Sequence, residues 1–98
     1  MKKYAMMLMN SQFTPEQHNA KFITGNIENY IVTVRNPQEA LEKTRLLVEQ
    51  GFGVLEVCGA FEPKLVERMQ KISEGKMCIG HIVYPKEQLE TLEQFWTD

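Results

Sequence analysis

No stretch of this sequence approaches the roughly 20 consecutive apolar residues that a membrane-crossing helix requires. The amino terminus imitates a secretion signal, because Lys2 and Lys3 precede Ala5-Met6-Met7-Leu8-Met9. Asn10-Ser11-Gln12 breaks that run early and no small-residue cleavage site follows, so a first strand in a cytoplasmic protein is the expectation. Cysteine is scarce as well. Cys58 and Cys78 are too few for a disulfide framework, and both are expected as reduced thiols. Positive charge is not in excess: the formal net charge is −2, and Lys and Arg are interleaved with acidic residues, which argues against a nucleic-acid or membrane partner. There is no glycine-rich phosphate fingerprint, and no Cys/His pair stands at metal-ligand spacing. A zinc site from Glu56, Cys58 and His81 would need three separated segments to converge, so neither metal nor cofactor is expected.

What is present is an alternation of apolar runs and amphipathic segments in 98 residues, enough for one domain and one core. Residues 4–9 read as a strand, and Thr14-Pro15-Glu16-Gln17 carries the signature of a short helix start. Gly25-Asn26 ends that segment, and Tyr30-Ile31-Val32-Thr33-Val34 is a second strand by its β-branched and aromatic content. Asn36-Pro37-Gln38-Glu39 is a capping box ahead of Ala40, Leu41, Thr44, Leu47 and Val48, which share one helical face ended by Gly51. Residues 54–58 form a third strand, Pro63 opens a helix with Leu65, Val66, Met69 and Ile72 in one stripe, and residues 78–84 form a fourth strand. A last helix follows Pro85, with Leu89, Leu92, Phe95 and Trp96 turned inward. The predicted fold is α/β, a single small domain of four mostly parallel strands with helical crossovers, either an open sheet or a half-barrel. Such a unit leaves edges and an apolar face unpaired, so a homo-oligomer is expected.

Parallel strands place their carboxyl ends on one rim, where ligands of such sheets bind. That rim holds Asn10 and Ser11, Arg35 and Asn36, the run from Cys58 to Phe61, and Tyr84. The chemistry concentrates in Val54-Leu55-Glu56-Val57-Cys58-Gly59-Ala60-Phe61, where a carboxylate and a thiol interrupt an apolar strand. Covered on both faces, Glu56 would need a partner or a proton. It is either a proton-transfer group or a structural carboxylate held by Arg35 or a backbone donor. Cys58, near the start of the next helix, is a candidate nucleophile or a packed thiol. His81 is a candidate acid/base group facing the same cavity as Glu56, or a hydrogen-bonded core histidine. Arg35, Gly59, Ala60, Phe61 and Tyr84 are candidate ligand-binding residues, since the glycine turn and the following helix start favour a small anion. Cys78, at the opposite rim, reads as packing, and His18 as exposed.

Two resemblances follow from these residues. Leu46-Leu47-Val48-Glu49-Gln50-Gly51, Val54-Leu55-Glu56-Val57 and Ile79-Gly80-His81-Ile82-Val83 resemble the early strands of keto-deoxy-phosphogluconate aldolases, which are (β/α)-barrels. That resemblance implies an acid/base role for Glu56, although the aldolase arginine falls on Ala60 and the Schiff-base lysine belongs to a strand absent here. Glu56-Val57-Cys58-Gly59-Ala60-Phe61 resembles the Glu-x-Cys-Gly-Gly-Phe motif of a family of short bacterial proteins of unknown function, with alanine replacing the second glycine. This implies a compact α/β domain and no particular activity. Three functions remain open: binding of a small anionic metabolite at the rim near Glu56; a lyase or isomerase with Glu56 as acid/base; and a non-catalytic homo-oligomeric assembly domain.

Overall fold

The computed structural model describes residues 1–97. Its elements are β1 (Lys2–Met9), β2 (Ala20–Thr24), β3 (Ile27–Val34), α1 (Pro37–Glu49), β4 (Val54–Val57), α2 (Pro63–Ser73), β5 (Cys78–His81) and, after a 3-10 turn over Lys86–Gln88, α3 (Leu89–Trp96). The five strands form one open sheet in the order β2-β3-β1-β4-β5. The pairs β3–β1, β1–β4 and β4–β5 are parallel, and β2 alone runs antiparallel, against β3. The predicted α/β class and mostly parallel sheet hold, in the open rather than the half-barrel form.

The fifth strand is a departure from the expected four. The helix start at Thr14 makes only one turn, with the amides of Gln17 and His18 both donating to the Thr14 carbonyl. His18 then caps that turn by accepting from the Thr14 amide through Nδ1, at 2.8 Å, and the chain goes on into β2. Gly25, at φ 61°, turns β2 back onto β3. Gly25-Asn26 is therefore a hairpin turn between two strands.

Connection direction decides where the helices lie. From β3 to β4 and from β4 to β5 the chain steps the same way across the sheet, and right-handed crossovers put both connecting helices on the same face. Accordingly α1 packs on α2. Beneath them Ala5 and Met7 of β1, Val32 and Val34 of β3, Leu55 and Val57 of β4, and Ile79 of β5 join Leu41, Leu47, Leu65, Val66 and Met69 in one core. The step from β1 to β3 runs the other way, and a helix there would have covered the opposite face. The chain supplies a loop and β2 instead, so among the described residues no helix packs across that face.

The pleat shows the result. Along β4 the exposed Val54 and Glu56 alternate with the buried Leu55 and Val57. The expectation that the strand of Glu56 is covered on both faces is thus overturned. The last helix is a second correction. Leu92 is half-buried, but Leu89, Phe95 and Trp96 are exposed, the last two to 72% and 71%. The covered face is already filled by α1 and α2, and α3 lies over the rim. Cys78, expected to pack, is exposed on the uncovered face. No described helix is long and apolar enough to cross a membrane.

The Asn36 side chain accepts from the Glu39 amide at 2.9 Å, capping α1. Asn36→Ala is expected to cost about 1 kcal/mol, the usual size of a lost N-cap. Leu55→Ala, in the fully buried centre, is expected to cost about 2–5 kcal/mol. Urea denaturation of the two variants measures both, and equal losses would contradict the core described above.

Candidate functional site

The sheet reverses its winding at β1, which has β3 on one side and β4 on the other. Open parallel sheets bind ligands outside the carboxyl ends of their strands at such a switch point. A cleft of about 770 Å³ opens there, lined by Leu8, Met9, Asn10 and Phe13 from β1 and its loop, the run from Cys58 to Pro63, His81, Ile82 and Tyr84 after β5, and Leu92 and Trp96 of α3.

Each wall has a local cause. The Cys58 amide donates to the Met7 carbonyl, which extends the β4 pairing by one residue, and the Phe61 amide then donates to the Cys58 carbonyl at 3.2 Å, closing a tight turn. Phe61 plugs the core below that turn while Gly59 and Ala60 stay exposed. A Cβ on Gly59 would stand 3.3 Å from Cε1 of Tyr84, so the side chain of Tyr84 is seated on the bare glycine. Pro63 occupies the first turn of α2, and no side chain caps that turn, so the helix presents its amino end to the cleft beside Glu62. Across the cleft, the Asn10 side chain accepts from the Gln12 amide at 2.8 Å, which fixes the loop after β1.

His81 carries the clearest chemical signal. It lies at the end of β5, and its Nε2 is buried with no hydrogen-bond partner among the described residues. A buried polar atom left unpaired costs about 1–3 kcal/mol, so it marks a place where a further polar group would be stabilising.

The cleft therefore unites His81, Cys58, Gly59, Ala60, Phe61 and Tyr84 among the predicted site residues, and it leaves out Glu56 and Arg35. Glu56 is paired in register with Gly80, whereas His81 pairs with Val57. The pleat thus puts Glu56 and His81 on opposite faces, and the expectation that they share a cavity is overturned. Nor does Glu56 meet Arg35. Its carboxylate accepts from the Tyr4 hydroxyl at 2.5 Å on the uncovered face. The bond to the Glu56 carboxylate, with burial and the carboxylate's charge added, pushes the Tyr4 phenol from 10.0 up to about 12.

Arg35 is engaged four residues along the chain. Its Nε and its backbone amide donate to the two Glu39 carboxylate oxygens at 2.9 and 2.8 Å. The guanidinium hydrogen bonds, followed by that from the Arg35 amide, hold the Glu39 carboxyl below its usual range. The pair borders a separate groove between α1 and the β2–β3 edge. Among the described residues no three His, Cys, Asp or Glu side chains stand together as a metal site.

The lining residues that sequence reasoning did not single out for the site include Met9, Glu62 and Ile82 as well as Leu8, Phe13, Leu92 and Trp96. The one signal for the last two was their four-residue spacing on a helix that follows the final strand, which also fits a helix lying across the rim. Fold and site together define a small α/β protein with a one-sided helix layer and a switch-point cleft. The chain belongs to a family of unknown function (DUF6506), whose model matches residues 2–97. No curated protein and no solved structure matches it.

The Tyr4–Glu56 bond has a pH signature. A phenol whose folded value is raised adds stability below its unfolded value, and that stability is lost as pH rises from about 10 toward about 12. The difference in phenolate absorbance between the parent and Tyr4→Phe is expected to titrate near pH 12 in the parent background and lower in Glu56→Gln. A difference curve centred near pH 10 in both would show that the bond does not form.

Proposed function

We propose that this chain binds a small organic anion, a carboxylate on an apolar body, in the switch-point cleft. The observation that carries the reading is the buried, unpartnered Nε2 of His81 in a cleft whose other walls are largely apolar. Such a cleft, with few convergent polar groups, suits a small ligand held by its apolar part and oriented by one charged end. Turned toward the cleft that its residue already lines, the His81 imidazole would donate an N–H to the carboxylate. The bare Gly59-Ala60 turn and the uncapped amino end of α2 add backbone N–H groups and a favourable dipole on the same side, against which stands the carboxylate of Glu62 at that helix end. Leu8, Phe13, Leu92 and Trp96 would enclose the apolar part.

The lyase or isomerase reading built on Glu56 is disfavoured by that residue's position. A general base needs to reach a substrate proton. Glu56 lies outside the cleft lining, is exposed, and is already hydrogen-bonded to Tyr4. A cytoplasmic setting suits the two unpaired thiols, Cys58 and Cys78, and the bacterial family resemblance of the Glu56–Phe61 run.

Trp96 is the single tryptophan and lines the cleft, so its emission reports occupancy. Phenylpyruvate titrated into the protein is expected to change that emission saturably, with its methyl ester and inorganic phosphate binding more weakly. His81→Ala is expected to weaken phenylpyruvate by tenfold or more, the loss of a hydrogen bond to a charged group worth about 1.5–3 kcal/mol. Glu56→Gln is expected to leave the affinity unchanged. Equal binding of acid and ester, or full affinity in His81→Ala, would remove the anion site from this cleft.

A further inference from the structure

The face of the sheet that α1 and α2 leave bare presents Phe22 from β2, Ile31 from β3, Tyr4 and Met6 from β1, and Val54 from β4. Strand register puts these side chains on one side. Phe22 is 54% exposed, and Ile31 and Val54 are each 37% exposed. We propose that two copies of this chain pack face to face through this side of the sheet, as a two-fold dimer of the sandwich type.

Three observations select a second copy as the occupant. The first is area. Each strand residue covers about 16 Å² of sheet plane, from a rise near 3.3 Å and a strand spacing near 4.8 Å. The five strands then offer up to about 450 Å² per protomer, less at the Thr33 end where the loop through His18 lies on the sheet, and so up to about 900 Å² for a pair. That is the size of the smaller, reversible protein interfaces, and a dissociation constant in the micromolar range is expected.

The second observation is charge. Lys2 at one end and Glu56 are the charged residues that the strands place on this face, so a copy meets its like without net repulsion. A strongly acidic or basic partner would find little to pair with. Glu56 also enters such an interface with a hydrogen-bond donor of its own, Tyr4. The third is geometry. Two open sheets stacked about 10 Å apart make a closed sandwich core, and a two-fold axis makes the patch its own complement.

The sequence contains its own control. Ile23, next to Phe22 in β2 and 56% exposed, points to the opposite face of the sheet. Sedimentation velocity on the full chain across micromolar concentrations is expected to show a dimer. Phe22→Lys and Ile31→Lys are expected to raise the dissociation constant at least tenfold, with unchanged far-ultraviolet dichroism, while Ile23→Lys remains dimeric. Dimers undisturbed by both Phe22→Lys and Ile31→Lys would falsify the proposal. A parent chain that stays monomeric at the highest concentration does the same. So does dissociation by Ile23→Lys equal to that by Phe22→Lys, which would place the contact along the β2 edge.

Discussion

The handedness of strand–helix–strand connections is the constraint on which this molecule depends. A twisted strand feeding a right-handed helix packs back onto its sheet one way only. Two successive steps in one direction therefore stack α1 and α2 on a single face, and one contiguous core forms beneath them. The step in the other direction, from β1 to β3, is made through a loop and the hairpin strand β2. The asymmetry of the fold, one face under a helix layer and the other without one, follows from that substitution of a strand for a helix.

The same winding sets the position of chemistry. Reversal at β1 parts the connections on either side of it, and the cleft lies where they part, between the loop after β1 and the tight turn after β4. The one-residue alternation of the pleat then separates two side chains that look like neighbours in the sequence pattern. His81 follows the parity of Val57 and reaches the cleft, while Glu56 follows that of Gly80 and lies on the bare face with Tyr4. A carboxylate within an apolar strand is costly only when both faces are covered. Here one is not, and Glu56 is satisfied by a phenol.

How legible this was depends on how local each signal is. The capping box at Asn36 and the five-residue apolar face behind it specify α1 without help from the rest of the chain, and Pro63 with its stripe does the same for α2. Thr14-Pro15-Glu16-Gln17 has the right residues for a helix but no apolar stripe after it to bury, and it stops at one turn. Leu89, Leu92, Phe95 and Trp96 do form a stripe, yet the face it would cover is already taken. Of the candidate site, the Cys58–Phe61 turn and Tyr84 were legible because they follow strand ends, whereas His81, read inside a strand running to Tyr84, is the last residue of β5. Arg35 was misplaced because Glu39, one helical turn away, captures it before any more distant carboxylate can.

By itself the sequence determined the element types, their order, the mostly parallel sheet and the rim that carries the polar turns, because these rest on local periodicity, capping and the handedness of short connections. Tertiary structure alone decided that β2 joins the sheet, that both helices share one face, that Glu56 and His81 lie on opposite faces, and that α3 overhangs the cleft. Each of those depends on strand order and register, which are set by contacts between segments far apart in the chain, and no pattern within a single segment encodes them.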